Sequence, residues 1–494
     1  MPSTEFPPGQ ADPVRQRFGS IFSLMNTIGI SAHGAYVPKA RLPRELIAAE
    51  WGGHSMGGEK AVANHDEDSL TLAVGAALNC FASGEARDLD GVLFASTTSP
   101  YREKQMAATV AAVLDCREDL RTADVTDSLR AATTALLAAL DQVKAGARRV
   151  LVTAGDCRTP EPDSMNEQSN GDGGAAVVIS SENVLAEIVE TVSLSDEFLG
   201  SFRTDEQAYA KSFPGFDMKL GYGRQLAAVM KSILAKAKVA PDQLAAVVLA
   251  APNPRASQGV VKSFGIDAKR QLTDTLWSVM GDVGCVQPLL MLSAALERAK
   301  PGDLILVAGI GDGADALLLR ATDLVARFRP NVGVGAQIEL KRTLPSYGKY
   351  LRFRRLVKKD APAQALSTPV VLLRDRKALL PFYGGKCKAC GTVQYPQHRV
   401  CIECSDRGGL DSVKLGRTGK VFTFVVDHVA DSPDSPVASA VIDLDGGGRV
   451  LMELTDCAPD KVEIDMPVEL TFRRYHDGFG MKNYFWKARP RTSA

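Results

Sequence analysis

Four cysteines in one short segment constrain the fold of this chain more than any other feature. Cys387 and Cys390 form one Cys-x2-Cys pair, and Cys401 and Cys404 form a second pair after ten intervening residues. Two such pairs supply four thiolates at the spacing that tetrahedral Zn²⁺ requires. Because the protein then fills all four coordination positions, the predicted ion is structural, not catalytic. The alternative interpretation is two disulfides or four unrelated thiols.

The overall composition is that of an ordinary globular protein, and its charge balance does not indicate a strongly charged binding partner. Of 494 residues, 45% are hydrophobic and 23% charged, and Lys+Arg equals Asp+Glu at 58 each. This neutral balance favours neither a nucleic acid nor a membrane as the partner. Five scattered cysteines lie outside the cluster, which favours a cytoplasmic location over a secreted disulfide framework. Residues 1–27 lack a signal-peptide pattern and are predicted to form a flexible tail.

An internal repeat indicates a duplicated α/β fold. Over residues 28–325, short apolar runs bounded by glycine alternate with helical patterns. The apolar runs are predicted to be buried strands. The segment LLAALDQVKAG that precedes the strand VLVTAG is echoed by LSAALERAKPG before LILVAG, which places Lys300 156 positions after Lys144. The pattern predicts two similar halves, residues 28–182 and 183–325, packed against each other.

The remaining third of the chain has a different character. Residues 326–376 are predicted as a basic connecting segment, within which 341–359 carry eight basic side chains, three aromatics and no acid. The zinc ribbon is predicted over 377–412. Residues 413–494 contain short alternating apolar runs separated by Gly and Asp-Gly turns. That pattern predicts a small five-stranded β-barrel of the OB-fold kind.

Parts of the sequence resemble two protein families. The ribbon FYGGKCKACGTVQYPQHRVCIEC and the strand GKVFTFVVDH resemble the zinc-ribbon and OB-fold module known as DUF35, which accompanies thiolase-superfamily enzymes. Residues 28–325 resemble the thiolase superfamily, nearest to its 3-hydroxy-3-methylglutaryl-CoA synthase and ketoacyl synthase III branch. The matching motifs include HDEDSLTLAVGAA, STTSPY, ADVTDSLRAATTAL, NGDGGAAVVIS, APNPRA and GDVGCVQP.

The resemblance implies a duplicated α/β sandwich and Claisen or aldol chemistry on an acyl-CoA thioester. It also implies a homodimer, with a further thiolase-family subunit as a possible partner. The family's catalytic residues are not matched. Leu129 stands at the position of the nucleophilic cysteine, Ala250 at that of the histidine, and Thr97 near that of the catalytic glutamate. None of the six histidines lies between residues 66 and 397, so a Cys-His acyl-transfer pair is not expected.

Four residues are the candidates for chemistry around Leu129. Ser128 lies at a strand-to-helix turn, where helix-start amides would stabilise an oxyanion, or where Ser128 simply caps the helix. Asp282 is a candidate general base or a loop cap. Asn253 is a candidate for orienting a carbonyl, and Cys285 is either a covalent nucleophile or a buried inert thiol. Tyr222 is a weaker acid/base candidate.

The basic connecting segment is the candidate site for the phosphates of coenzyme A. Lys349, Arg352, Arg354 and Arg355 supply the predicted contacts, because arginine suits phosphate well. The alternatives are a nucleic-acid contact, which the neutral net charge disfavours, and a solvated linker helix.

The leading functional hypothesis is carbon–carbon bond cleavage or formation on an acyl-CoA, of the aldol, retro-aldol or Claisen type. A retro-aldol step needs a base for a β-hydroxyl and a site for the enolate, but no acyl-enzyme. The second hypothesis is a catalytically silent scaffold that binds or channels acyl-CoA for an active partner. Such a scaffold would keep no polar pocket around Leu129. The third is an acyltransferase that uses Cys285.

Overall fold

The computed structural model describes residues 27–81, 85–357 and 367–491. The predicted tail therefore lies outside the described residues except for Thr27, as do residues 358–366 of the predicted basic connecting segment. Within the described ranges the strands are β1 (Gly29–Tyr36), β2 (Ala40–Pro43), β3 (Glu59–Val62), β4 (Gly91–Ser96), β5 (Arg121–Thr126), β6 (Arg149–Cys157), β7 (Asp172–Ser180), β8 (Ala186–Ser195), β9 (Leu244–Leu249), β10 (Leu304–Ile310), β11 (Gly313–Ala321), β12 (Arg342–Thr343), β13 (Tyr383–Cys387), β14 (Val393–Gln394), β15 (Leu410–Lys414), β16 (Thr418–Asp427), β17 (Val437–Leu444), β18 (Arg449–Glu453), β19 (Pro467–Gly478) and β20 (Met481–Pro490).

The helices of the same ranges are α1 (Arg44–Trp51), α2 (Ser69–Cys80), α3 (Met106–Val113), α4 (Ala131–Lys144), α5 (Met165–Ser169), α6 (Pro214–Phe216), α7 (Gly223–Ala237), α8 (Pro254–Ser263), α9 (Trp277–Met280), α10 (Gln287–Leu296), α11 (Val334–Glu339), α12 (Tyr347–Phe353) and α13 (Pro369–Leu379). A π-helical turn, Asp217–Tyr222, joins α6 to α7. In the described part of the chain, every helix is too short or too polar to cross a bilayer.

The large sheet shows the duplication that the repeat predicts. Its strand order is β5-β4-β6-β7-β1-β8-β11-β10-β9. In the first half β4 and β6 are parallel and β6 and β7 antiparallel, and β9, β10 and β11 repeat this pattern in the second half. Helices α4 and α10 begin at Ala131 and Gln287, at the offset of the sequence repeat. The predicted duplicated α/β class is confirmed.

Three helices fill the core of this unit. Helix α2 lies on β1, β6 and β7, and it approaches the sheet so closely that a Cβ on Gly155 would lie 1.9 Å from the Ser69 carbonyl oxygen. Helices α4 and α10 pack against each other and against strands of both halves. The N-termini of α4 and α10 therefore meet at the boundary between the halves.

The C-terminal region forms two small β units. Strands β14-β13-β15 make a three-stranded sheet that carries the first cysteine pair, and β18-β17-β16-β19-β20 make a five-stranded sheet. A bridge between Leu454 and Ala488 joins the two ends of the five-stranded sheet into a barrel. Trp486 lies fully buried inside it. These units confirm the predicted ribbon-and-barrel class.

The barrel packs on α2 through a group of buried charges that we call the junction cluster. Arg473 of β19 is fully buried and forms ion pairs with Asp66, Glu67 and Asp456. Lys487 of β20 lies 3.1 Å from the second carboxylate oxygen of Asp66. Acids of the α/β unit and bases of the barrel thus meet away from water, where their attraction is weakly screened.

Candidate active site and cysteine cluster

A cavity of about 240 Å³ lies at the boundary between the two halves. Leu129 lines it just before α4, and Gln287 lines it at the first residue of α10. Asn253 and Asp282 add polar groups from the second half. Most of the remaining wall is apolar, and its large side chains are Met56, Met165, Phe198, Met218 and Trp277. Leu129, Asn253 and Asp282 therefore share one cavity, whereas Ser128 lies outside its lining.

The turn before α4 leaves the helix start without a side-chain cap. Asp127 has a left-handed backbone conformation, with φ of 74°. The Ser128 hydroxyl donates to Asp312 Oδ2 at 3.0 Å, and its oxygen accepts from the Arg130 amide at 3.5 Å. Ser128 therefore makes one long contact to the helix start, while Arg130, the N-cap residue, has no side-chain cap of its own.

Gly311 keeps the backbone amides of this turn accessible. A Cβ on Gly311 would lie 2.7 Å from the Arg130 nitrogen and 2.9 Å from the Leu129 nitrogen. Gly311 also has φ of 151°, a conformation that side chains rarely adopt. The absence of a side chain thus leaves the Leu129 amide beside a glycine of the cavity lining as a candidate for oxyanion stabilisation, while the Arg130 amide donates to the Ser128 hydroxyl oxygen at 3.5 Å.

Asp282 lies in the cavity wall with both carboxylate oxygens engaged. The Arg158 guanidinium donates to Asp282 Oδ2 at 3.2 Å, and the Gly284 amide donates to Oδ1 at 2.9 Å. Arg158 also lines the cavity. The pair forms a fixed polar patch, because each charge is held by the other.

Cys285 lies outside the cavity lining and is fully buried. Its amide donates to the Asp156 carboxylate at 3.0 Å. Burial, reinforced by the nearby Asp156 charge, raises the pKa of the Cys285 thiol well above its usual value. Asp156 also accepts hydrogen bonds from the hydroxyls of Ser96, Thr97 and Thr98, so it anchors the loop that carries Thr97. Both observations favour the inert-thiol interpretation.

Asn253 and Tyr222 are each held by the backbone. The Asn253 side-chain oxygen accepts from the Ala256 amide at 3.1 Å and caps α8, which leaves its Nδ2 group 4.0 Å from Met218 Sδ. The Tyr222 hydroxyl donates to the Ala250 carbonyl at 2.8 Å, and burial raises the pKa of Tyr222 well above its usual value. Tyr222 therefore stays a neutral donor.

The four predicted phosphate contacts lie elsewhere. None of them lines the cavity within the described part of the chain. Lys349 pairs with Asp434, Arg354 with Asp172 and Arg355 with Asp477, while Arg352 donates to the Ser432 carbonyl. These contacts join α12 to the barrel and to β7. Arg352 and Arg355 keep a large exposed fraction.

Three cavity residues carry no recognisable sequence signal: Arg158, Asp217 and Trp277. They come from segments far apart in sequence, and no motif relates them. The buried Arg44 guanidinium lies 3.8 Å from the Trp277 ring centre and donates to the Trp277 carbonyl. It also donates to the carbonyls of Gln168 and Gly57, so one arginine holds this wall of the cavity together.

The four cysteines of the ribbon converge as predicted. Their sulfur atoms all lie within 4.8 Å of one another. The Cys387–Cys404 sulfurs are 3.7 Å apart and the Cys390–Cys401 sulfurs 3.6 Å apart. A tetrahedral ion with bonds of about 2.3 Å places its sulfur ligands roughly 3.8 Å apart. The cluster therefore fits a metal ion, which Cys387, Cys390, Cys401 and Cys404 would hold.

Two family models match separate parts of the chain. Residues 234–320 match the family model described as the 3-oxoacyl-[acyl-carrier-protein] synthase III C terminal. Residues 412–473 match the ChsH2 C-terminal OB-fold domain. The hydroxymethylglutaryl-CoA synthase of Methanopyrus kandleri is 29% identical over 343 residues, which are 67% of this chain and 98% of that protein.

Solved structures show the same fold. The HMG synthase of the curacin biosynthetic pathway, in complex with an acetyl donor-ACP, aligns with a TM-score of 0.60 at 18% identity, over 66% of this chain and 88% of that one. An HMG-CoA synthase complexed with CoA aligns with a TM-score of 0.58 at 19% identity, over 66% and 90% of the two chains.

The chain therefore has a thiolase-like fold, with a match to the synthase III C-terminal model in its second half and a C-terminal OB-fold domain of the ChsH2 type. Within the thiolase-like proteins its similarity is to the hydroxymethylglutaryl-CoA synthases.

Proposed function

We propose that this protein makes or breaks a carbon–carbon bond on an acyl-CoA thioester by aldol or retro-aldol chemistry, without an acyl-enzyme. The observation that carries the proposal is the cavity at the boundary of the halves, with helix-start amides on one side and Leu129 at its edge. The amides supply oxyanion stabilisation, while a leucine side chain has no nucleophilic atom. The similarity to hydroxymethylglutaryl-CoA synthases supports acyl-CoA as the substrate class.

Turnover and protein mass, measured together, test the proposal. Purified protein is incubated with β-hydroxyacyl-CoA thioesters, and the CoA species and carbonyl products are quantified by mass spectrometry. We expect a shorter acyl-CoA and a carbonyl compound, with the intact protein mass unchanged. Ala250→Phe should abolish turnover, because Ala250 lines the cavity and the new ring fills it. Val429→Phe introduces the same ring at a position that is 93% exposed and should leave turnover intact.

The competing functions give different results in the same experiment. A stoichiometric acyl adduct mapped to Cys285 would establish the acyltransferase instead and overturn the proposal. Saturable acyl-CoA binding without any turnover would establish the scaffold. The buried position of Cys285 and its raised thiol pKa weigh against the first of these outcomes.

We propose further that the protein forms a homodimer through β5. This strand lies at one end of the large sheet, and its residues are exposed or half-buried, whereas its neighbour β4 is fully buried. An unpaired edge strand is a template for pairing with a second chain. Light scattering at twice the monomer mass would support a dimer, and Ala123→Pro, which prevents pairing at that edge, should yield monomer.

The ion at the cysteine cluster is proposed to be structural Zn²⁺, and the location of the protein to be the cytoplasm. Four thiolate ligands leave no open coordination position for catalysis. Metal analysis should give one zinc per chain, and Cys401→Ser should lose the metal together with the order of the ribbon. A metal-free protein with an intact ribbon would contradict this assignment.

A further inference from the structure

Three segments of the cavity wall are joined from behind by one buried side chain, Arg44. The segments are the loop before β3, which contributes Met56 to the lining, helix α5, and helix α9, which begins at Trp277. Arg44 is the first residue of α1 and is fully buried. It is not among the residues that line the cavity. Any effect of Arg44 on a ligand in the cavity must therefore pass through these three segments.

The Arg44 guanidinium contacts the main chain of all three segments. Its Nε atom donates to the Gln168 carbonyl at 2.7 Å, and its Nη2 atom donates to the Trp277 carbonyl at 2.6 Å. Its Nη1 atom donates to the Gly57 carbonyl at 2.6 Å and lies 3.5 Å from the Ser278 carbonyl oxygen. The guanidinium also lies 3.8 Å from the Trp277 ring centre. All four acceptors are backbone carbonyls, so the contacts fix where the chain runs.

Helix α5 depends on such contacts because it is very short. It has five residues, little more than one helical turn, and a helix of that length is not stable alone. The last carbonyls of a helix need partners from outside it. In α5 the Glu167 carbonyl accepts from Lys60 Nζ, the Gln168 carbonyl accepts from Arg44, and the Ser169 carbonyl accepts from the Asp282 amide at 2.7 Å.

Two of these three partners are buried cations. Lys60, on β3, is 2% exposed and also lies 3.4 Å from the Tyr350 hydroxyl. Burial lowers the pKa of Arg44 to about 10, so Arg44 stays charged at neutral pH. Hydrogen bonds from charged donors are about twice as strong as those between neutral groups. The end of α5 is therefore held by side chains that come from α1 and β3.

Arg41 is a matched comparison three residues away. It is also fully buried, but it donates to the carbonyls of Pro38 and Ala40 in its own segment. Its carboxylate partner is Glu59, at 3.9 Å. None of these partners belongs to the cavity lining among the described residues. Arg41 thus holds a local stretch of chain, whereas Arg44 joins three distant ones.

Resting on the function proposed above, we propose that Arg44 is a positioning residue for the cavity, assisted by Lys60. It holds α5, α9 and the loop at Gly57 in the arrangement that accepts an acyl-CoA, and it does so without touching the ligand. Lysine cannot replace it, because a single ammonium group does not reproduce the planar fork that reaches three segments at once. The order of the cavity wall is then separable from the stability of the whole chain.

The tryptophans supply local reporters for a test on the full chain. There are three of them. Trp277 carries the Arg44 contact, Trp51 donates to the Glu167 side chain of α5 at 3.1 Å, and Trp486 is buried in the barrel. Labelling with 5-fluorotryptophan gives each a ¹⁹F NMR signal, and the variants Trp51→Phe and Trp277→Phe assign the two signals of the wall. The Trp486 signal reports on general unfolding.

In Arg44→Lys we expect the Trp277 and Trp51 signals to shift and broaden while the Trp486 signal stays unchanged. Calorimetry should show roughly tenfold weaker binding of butanoyl-CoA, because the site is no longer preorganised. Turnover in the assay described above should fall about 100-fold, the effect of misplacing reacting groups by about 1 Å. Arg41→Lys, which removes an equally buried guanidinium, should keep the three signals and the affinity of the wild type.

The inference is overturned if Arg44→Lys keeps wild-type signals and affinity. It is also overturned if Arg41→Lys or the Trp486 signal changes equally, because the effect is then a general loss of stability. If Arg44→Lys does not fold, Lys60→Gln tests the same wall: the Trp51 signal should change and butanoyl-CoA should bind more weakly, and an unchanged signal overturns the inference. A wild type that neither binds nor converts any thioester overturns the proposed function, and the ¹⁹F signals then decide the role of Arg44 alone.

Discussion

At the junction cluster the Arg473 guanidinium faces three carboxylates, whereas in the cavity lining Asp217 and Trp277 each keep a polar atom without a hydrogen-bond partner among the described residues. Both regions bury polar groups between elements that are distant in sequence. At the junction Arg473 pairs with Asp66 and Glu67 of the α/β unit and with Asp456 of its own barrel. In the cavity the side chains are held just as firmly, yet acceptor and donor capacity is left over.

The two regions differ in how their charges are paired. A buried charge is tolerated when it is paired, and the junction charges lie in ion pairs, although Arg473 Nε and Asp66 Oδ2 have no hydrogen-bond partner among the described residues. An unpaired buried group is a cost that the folded protein carries until something binds.

Removing the central cation of the junction cluster should have the largest effect. Arg473→Met leaves Asp66, Glu67 and Asp456 buried together without their shared partner, and breaking such a network costs roughly 3–5 kcal/mol of unfolding free energy. Urea denaturation measures this loss. Arg449→Met is the control in the same barrel, because the Arg449–Asp443 pair is about half exposed and should contribute no more than about 1 kcal/mol. Equal losses in the two variants would show that the junction is not stabilised by its charges.

His33 is a buried titratable side chain whose hydrogen-bond partner, among the described residues, is a hydroxyl and not a carboxylate. Its ring nitrogen lies 2.8 Å from the Ser293 hydroxyl, and burial lowers the pKa of His33 to about 3, assisted by the charge of Arg329. In the unfolded chain the pKa is near 6.5, so between pH 6.5 and 3 the unfolded state binds the proton and the folded state does not. Stability is therefore present above pH 6.5 and is lost as the pH falls.

The expected loss from His33 between pH 6.5 and 4 is roughly 3 kcal/mol. Denaturation curves for the wild type and His33→Gln at several pH values isolate this contribution. The variant should lose about that much less stability over the same interval. Parallel curves for the two proteins would contradict the assigned direction of the shift.

The smallest effect is expected at the basic connecting segment. Arg352 and Arg355 are exposed enough to meet the phosphates of coenzyme A, but Arg355 already faces Asp477. Arg352→Glu combined with Arg355→Glu should weaken acyl-CoA binding by roughly 1 kcal/mol at low salt, and less as salt rises. Calorimetry that shows unchanged affinity at low salt would leave this segment as a connection between domains.

The parts of the structure that were predictable from sequence are those set by local patterns. Four closely spaced cysteines predict a metal cluster whatever the ribbon packs against. Two similar segments that lie 156 positions apart predict the two halves of the α/β unit. The depth of Cys285 was not predictable, because its burial depends on Asp156 and on loops from the first half. The basic segment shows only its cations in sequence, while the acids that pair with them, Asp172 and Asp434, come from distant strands and loops.

Asp217 and Trp277 illustrate the same limit at the candidate site. They lie 60 positions apart, on either side of β9 and α8, and each is an ordinary residue type in its own segment. Only the fold brings both into one cavity lining. Leu129 and Asn253 could be placed there in advance because they lie in motifs shared with the thiolase superfamily.

The most direct test of the account is a crystal structure with β-hydroxybutanoyl-CoA bound. We predict that the thioester lies in the cavity between Leu129 and Gly311, with its carbonyl oxygen within about 3.2 Å of a helix-start amide. A structure in which coenzyme A binds elsewhere and the cavity stays unchanged would contradict the account.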